Sequence, residues 1–209
     1  MVCWTLVCVL TCILAGVTGN LDEIIRINQN AHVIGDLLDG DVFMPTKNTS
    51  EGEHSRHKRD VHIFGRWFNA IVPFTMEEDK FDDREKKVIF DSMAIIEAVS
   101  CVRFVTRHDE RDYIFITRLG GCWSPIGRQI GKQALSIGYG CVSESVIVHE
   151  MLHALGFFHE HQRPDRNDYI EILWDNLQTS VWKQFIIHSN VATTLDLPYD
   201  YYSIMHYGK

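Results

Sequence analysis

The sequence predicts an α+β domain built on a partly parallel sheet, and three observations carry that expectation. Residues 69–74 and 102–106 are runs of β-branched and aromatic side chains without helical spacing, and they read as strands. The stretch between them has helical spacing and a helix start signal, so strand, helix and strand follow one another as a βαβ crossover, which joins parallel strands. Further on, residues 142–155 are apolar, free of glycine and of helical length.

In chain order, residues 1–19 are uncharged, run apolar from Val2 to Val17 and close on Val17-Thr18-Gly19, side chains that a signal peptidase accepts. They read as a secretory signal. The apolar run of about 16 residues falls short of the ~20 that span a bilayer, so no membrane anchor is expected. Residues 20–59 hold scattered apolar side chains and end in a charged run from Ser50 to Arg59, as a pro-segment would. Arg56-His57-Lys58-Arg59 offers consecutive basic side chains to an activating protease cutting near Arg59, although a solvated charge run has the same composition. Asn48-Thr49-Ser50 on the same strip is a glycosylation acceptor. Residues 60–209 remain for the folded domain, whose globular composition sets in at Trp67.

Inside that domain, Asp82 can cap the first helix and Glu85 can reach back to it, while Ile89, Met93 and Ile96 fall on one face. Residues 112–117 read as a third strand, and the glycines from Gly120 to Gly140 mark loops around a short strand at 134–137. No phosphate-cradling glycine pattern occurs there. The 209 residues include 20 Lys+Arg against 28 Asp+Glu, a net charge of −8, and are 45% hydrophobic. Wholesale disorder is excluded by this composition, and the lack of a long basic run argues against nucleic acid as a partner. Cys3, Cys8 and Cys12 would leave with the signal, placing Cys101, Cys122 and Cys141 in an oxidising compartment.

The chemistry lies in the second helix. His149 and His153 stand at i and i+4, so both imidazoles project from one face close enough to share a metal ion, with Glu150 beside them. Gly156 can adopt the left-handed conformation that ends the helix and turns the chain, bringing His159 towards the same point. The string from His149 to His159 has the spacing of the metzincin zinc peptidases. Three neutral imidazoles leave Zn²⁺ a coordination position for water, whose pKa falls towards ~7, and Glu150 is placed to take its proton as general base.

Ser203-Ile204-Met205-His206-Tyr207 resembles the Met-turn of the astacin family of metzincins. His159-Glu160 with Arg163-Pro164-Asp165-Arg166 matches that family's extension of the zinc string, and Cys101-Val102-Arg103-Phe104, Gly121-Cys122-Trp123-Ser124 and Gly140-Cys141 resemble its other landmarks. The resemblance runs from Trp67 to Lys209. It implies a zincin-like metallopeptidase domain: a twisted mixed five-stranded sheet with two long helices above an irregular lower part, which this sequence would cut short. Residue by residue it implies that His149, His153 and His159 bind one zinc ion, that Glu150 is the catalytic base and that Met205 floors the metal. Tyr207 would be a further ligand at rest and would swing away to stabilise the oxyanion, unless it is only a packing aromatic. Glu160 would receive the mature amino terminus, although a cut after Arg59 leaves only seven residues before Trp67. Asn167 stands where the family has Asp, with Asp168 beside it. Leu38-Asp39-Gly40-Asp41 resembles the pro-segment motif, with Leu for Phe, which makes Asp41 the candidate latency switch; a Gly-Asp turn is the plainer reading. Cys122 would pair with Cys141, and Cys101 with a cysteine beyond Lys209.

The expectation is therefore a secreted, zymogen-type zinc endopeptidase acting on protein or peptide substrates. A secreted zinc-binding module that docks proteins without cleaving them is the alternative. A matrix-degrading metzincin finds no support, because no cysteine lies between Asn20 and Arg59 to act as its switch.

Overall fold

A computed structural model describes residues 21–31, 37, 39–43, 65–188 and 194–208. The expected signal, Leu38, Asn48 and the basic run ending at Arg59 lie outside them. Five strands, β1 (Ile71–Met76), β2 (Arg103–Thr106), β3 (Tyr113–Thr117), β4 (Cys122–Trp123) and β5 (Lys132–Ile137), form one sheet in the order β2-β1-β3-β5-β4. The first four in that order run parallel, and β4 closes the edge antiparallel to β5. Helix α1 (Leu21–Asn30) precedes the sheet, α2 (Asp83–Ala98) makes the β1-to-β2 crossover, and α3 (Glu144–Leu155) follows β5. The α+β class and the mixed five-stranded sheet with two long helices are as expected. Among the described residues no helix is long and apolar enough to cross a membrane.

Local chemistry explains the two long helices. Asp82 and Glu85 form a reciprocal capping box, Glu85 N–H to Asp82 Oδ1 at 2.8 Å and Asp82 N–H to Glu85 Oε2 at 3.0 Å, satisfying two donors that helix geometry would leave unpaired. Ile89, Met93 and Ile96 are buried against the sheet core, as their spacing requires. Helix α3 starts two residues later than expected because Ser143, not Val142, provides an oxygen for a free N–H, that of Val146. It is apolar nearly all round because it is buried nearly all round. Gly156 ends it at φ 107, and the Trp67 indole N–H holds its last turn through the Ala154 carbonyl at 2.9 Å.

Three expectations need correction. Strand β1 begins at Ile71 rather than residue 69, since Asn69 and Ala70 sit at φ 51 and 58 in a tight turn. Residues 20–59 are expected to hold only scattered apolar side chains, yet Leu21, Ile24 and Ile25 have helical spacing, and α1 places Ile24 and Ile27 in the same core as the sheet. Edge strand β4 escapes the sequence reading because two residues among glycines carry no periodicity. The Cys122–Cys141 disulfide is present and ties β4 to the segment before α3. Cys101 is disulfide-bonded too.

Candidate metal centre

Helix α3 carries His149 and His153 one turn apart, and the Gly156 turn returns the chain so that His159 meets them. Ring centroids lie 4.6 Å apart for His149 and His153, 4.8 Å for His153 and His159, and 5.3 Å for His149 and His159. All three are essentially buried. Main-chain carbonyls hold two of the rings: His149 Nδ1–H donates to Ile204 O at 2.9 Å and His153 Nδ1–H to Phe157 O at 2.8 Å. A carbonyl can only accept, so each neutral ring presents a bare Nε2 to the centre. Burial pushes His149 down to about 4, which keeps it a neutral donor.

A fourth group enters from far upstream in the chain. Asp41 Oδ2 lies 3.1 Å from His149 Nε2 and 3.2 Å from His159 Nε2, and its Oδ1 lies 3.6 Å from His153 Nε2. One donor atom from each of the four residues falls within 4.8 Å of the others. Burial alone would raise the Asp41 carboxyl, but the charge of His159 beside it holds it well below the usual carboxylate range. His159 is raised despite its burial because Asp41 faces it.

These residues fit one zinc ion. The Nε2 atoms of His149 and His159 are 3.4 Å apart, so the two rings turn the same nitrogen towards one point. Asp41 Oδ1 and His153 Nε2 are buried without a hydrogen-bond partner, the state of ligand atoms aimed at a common point. Three imidazoles and a carboxylate are also the donor types zinc takes.

Glu150 is fully buried beside the cluster, neither oxygen hydrogen-bonded. Burial, with the Asp41 charge behind it, raises its pKa well above the ordinary value. Met205 is buried in the core with Ile204, and its carbonyl accepts the Glu160 N–H at 2.9 Å, tying the Met-turn to the residue after His159. Tyr207 is packed against the rings of His159 and His161, yet its hydroxyl donates to the Asp39 carbonyl at 2.8 Å. That hydroxyl is turned to the chain before Asp41, with Gln184 Oε1 a second acceptor at 3.2 Å, while the Asp41 carboxylate holds the place beside the imidazoles. Glu160 is no surface carboxylate: its side chain is 14% exposed and accepts from Arg163 at 2.9 Å and from Asp200 N–H at 2.9 Å. Arg166 Nε donates to Asn167 Oδ1 at 2.8 Å.

What the sequence does not disclose is how Asp41 is held. Asn28 of α1 is fully buried; its amide donates to Gly40 O and to Cys122 O, both at 2.7 Å, and accepts Cys122 N–H at 2.6 Å. Asp39 meets His188 at 3.1 Å, and Lys183 Nζ donates to Leu37 O at 3.1 Å. Gly40 sits at φ 91, a left-handed conformation that a residue with a Cβ adopts only under strain, and a Cβ there would also displace Ile25 Cδ1. Beyond Asp41 the chain joins the sheet edge in parallel, Ser124 N–H to Asp41 O and Phe43 N–H to Ser124 O, each 3.0 Å. Only the Gly-Asp pair is a usable local signal; Asn28 lies 94 residues from Cys122.

Comparison with known proteins agrees with this geometry. Residues 59–209 match the family model described as Astacin, a peptidase family. The zinc metalloproteinase nas-4 of Caenorhabditis elegans is 37% identical over 84% of this chain and 57% of its own length. Mouse meprin A subunit alpha is 38% identical over 91% of this chain and 24% of its own. The chain thus spans little more than half of one relative and about a quarter of the other. Among solved structures, high choriolytic enzyme 1, a hatching enzyme zinc-protease of the medaka Oryzias latipes, superposes with a TM-score of 0.63 at 38% identity, covering 69% of this chain and 72% of that one.

Proposed function

The chain belongs to the astacin family of peptidases, and from that premise we propose that it is the latent form of a secreted zinc endopeptidase. The observation that carries the proposal is the convergence of Asp41 with His149, His153 and His159. A carboxylate from the pro-segment there fills the side from which a peptide carbonyl and a water molecule must approach, so the uncut chain is silent. Zinc, when bound by the three imidazoles, supplies Lewis acidity that polarises a peptide carbonyl and acidifies water.

The remaining work falls to side chains of this chain. Glu150, without a partner and shielded from bulk water, takes a proton from the attacking water and passes it to the leaving amine. When the pro-segment leaves, the Tyr207 hydroxyl loses the Asp39 carbonyl and becomes a donor for the oxyanion. Ile204 and Phe157 carbonyls keep His149 and His153 in the ligating tautomer throughout. The substrate, an extended protein segment, lies on the sheet edge at Ser124, where residues 41–43 lie in the latent form.

The test is a digest. The chain is loaded with zinc, cut near Arg59 and offered casein. Expected is hydrolysis that a chelator stops and zinc restores, with the uncut chain inactive. Zinc held at one per chain with no cleavage of casein or peptides would instead identify a binding module that does not cleave.

A further inference from the structure

Trp123 stands on the edge strand β4 at the mouth of the proposed cleft. Its indole N–H is fixed to Gly120 O at 2.9 Å, and its neighbour Cys122 is held by the disulfide, so the ring is a rigid shelf. Phe43 lies against it, ring centroids 5.1 Å apart and planes 34° from parallel. What presents Phe43 to the shelf is its own main chain, which donates to Ser124 O, while the Ser124 N–H is taken by Asp41, the residue whose side chain enters the metal centre. The pro-segment therefore displays, in one short extended run, a group at the reacting point and an aromatic ring two residues further along the edge, about 6.6 Å at strand rise.

Resting on the peptidase reading above, we propose that Trp123 is a specificity-determining residue: it forms an aromatic subsite that selects substrates with Phe, Tyr or Trp two or three residues from the cut bond. Any peptide that borrows the Ser124 main-chain groups is carried past the same indole. A main-chain carbonyl rather than a side chain must reach the metal, which moves the register by up to one residue and sets the two-to-three range. Val42, between the two positions, is fully buried in the latent form, so a substrate residue there faces a closed wall while its neighbour meets the shelf. Aromatic pairs of this geometry favour an aromatic over an aliphatic side chain by about three- to tenfold.

Two measurements on the full chain, zinc-loaded and processed near Arg59, test this. In the first, peptides with one cleavable bond carry Phe or Ala at each position up to three residues on either side. Expected is a three- to tenfold gain in kcat/KM for Phe at one position two or three residues away, kept in Trp123→Phe and lost in Trp123→Ala and Trp123→Leu. An unchanged preference in Trp123→Leu, or no gain at any such position, overturns the subsite. The second needs no catalysis: calorimetric binding of a synthetic peptide spanning residues 37–47, with Phe or Ala at position 43. The Phe43→Ala change should weaken binding three- to tenfold to the wild-type protein and leave binding to Trp123→Leu unaltered. Equal losses in both proteins refute the proposal. If no peptide is cut but this coupling is found, the peptidase reading fails and the aromatic subsite stands.

Discussion

Replacing Asn28 by Ala should unlock the uncut chain. Its amide occupies three buried main-chain groups, Gly40 O, Cys122 O and Cys122 N–H, at 2.6–2.7 Å. In the open state, with the pro-segment lifted off, all three meet water whether residue 28 is Asn or Ala. The loss therefore falls on the latched state alone. Each buried group left without a partner costs about 1–3 kcal/mol. A water admitted into the space vacated by the amide recovers part of that sum, leaving about 3–4 kcal/mol. At 1.4 kcal/mol per tenfold, the open fraction rises by about two to three powers of ten. The assay uses chains whose Arg56, Lys58 and Arg59 are replaced by Ala so that no cut occurs, and follows hydrolysis of a quenched peptide together with the rate at which a chelator strips zinc. Asn28→Asp keeps the acceptor for Cys122 N–H but turns a carboxylate on two carbonyls, and it should leak as much. If the Asn28→Ala chain melts as a folded protein and stays as silent and as slow to lose zinc as wild type, the latch reasoning is wrong.

Other expectations follow from the same geometry. Asp41→Ala in the uncut chain should give hydrolysis approaching that of the processed protein; a zinc-loaded variant that stays inactive while the processed wild type cleaves would remove Asp41 from the latency mechanism. Glu150→Gln should lower kcat by at least about 10²–10⁴, the range of general acid–base catalysis, with zinc content by elemental analysis unchanged; a variant that cleaves normally excludes Glu150 as the base. Breaking the Cys122–Cys141 link, which closes a separation of 19 residues, with Cys122→Ser and Cys141→Ser together should cost about 3 kcal/mol. Scanning calorimetry should then show Tm lower by roughly 6–12 °C; an unchanged Tm would mean that the surrounding contacts hold β4 without it.

Much of the fold and of the metal centre is legible in the sequence because its signals are local. The Asp82–Glu85 box, the buried face of α2 and the pair His149 and His153 are set by helix geometry within one or two turns, where spacing alone decides which side chains share a face. Gly156 and His159 extend that logic by one turn of chain, since a left-handed residue is needed where the helix must stop. The start of strand β1 is displaced by two residues because Asn69 and Ala70, unremarkable in composition, adopt positive φ. Strand β4 is invisible to pattern because its existence depends on pairing with β5 rather than on any periodicity of its own.

By itself, then, the sequence determined the donors: three imidazoles, a neighbouring carboxylate, and a Gly-Asp pair able to approach a metal. The tertiary structure decided where the approach happens and what holds it. Asp41 reaches a ring 108 residues away only because Asn28, His188 and Lys183 fasten the segment around it, and Phe43 finds Trp123 only because Ser124 offers an unpaired sheet edge. Hydrogen bonds of that kind join residues far apart in the chain through single amides and carbonyls, so they leave no periodicity or spacing to read. They form when burial of α1 and closure of the sheet bring the partners together.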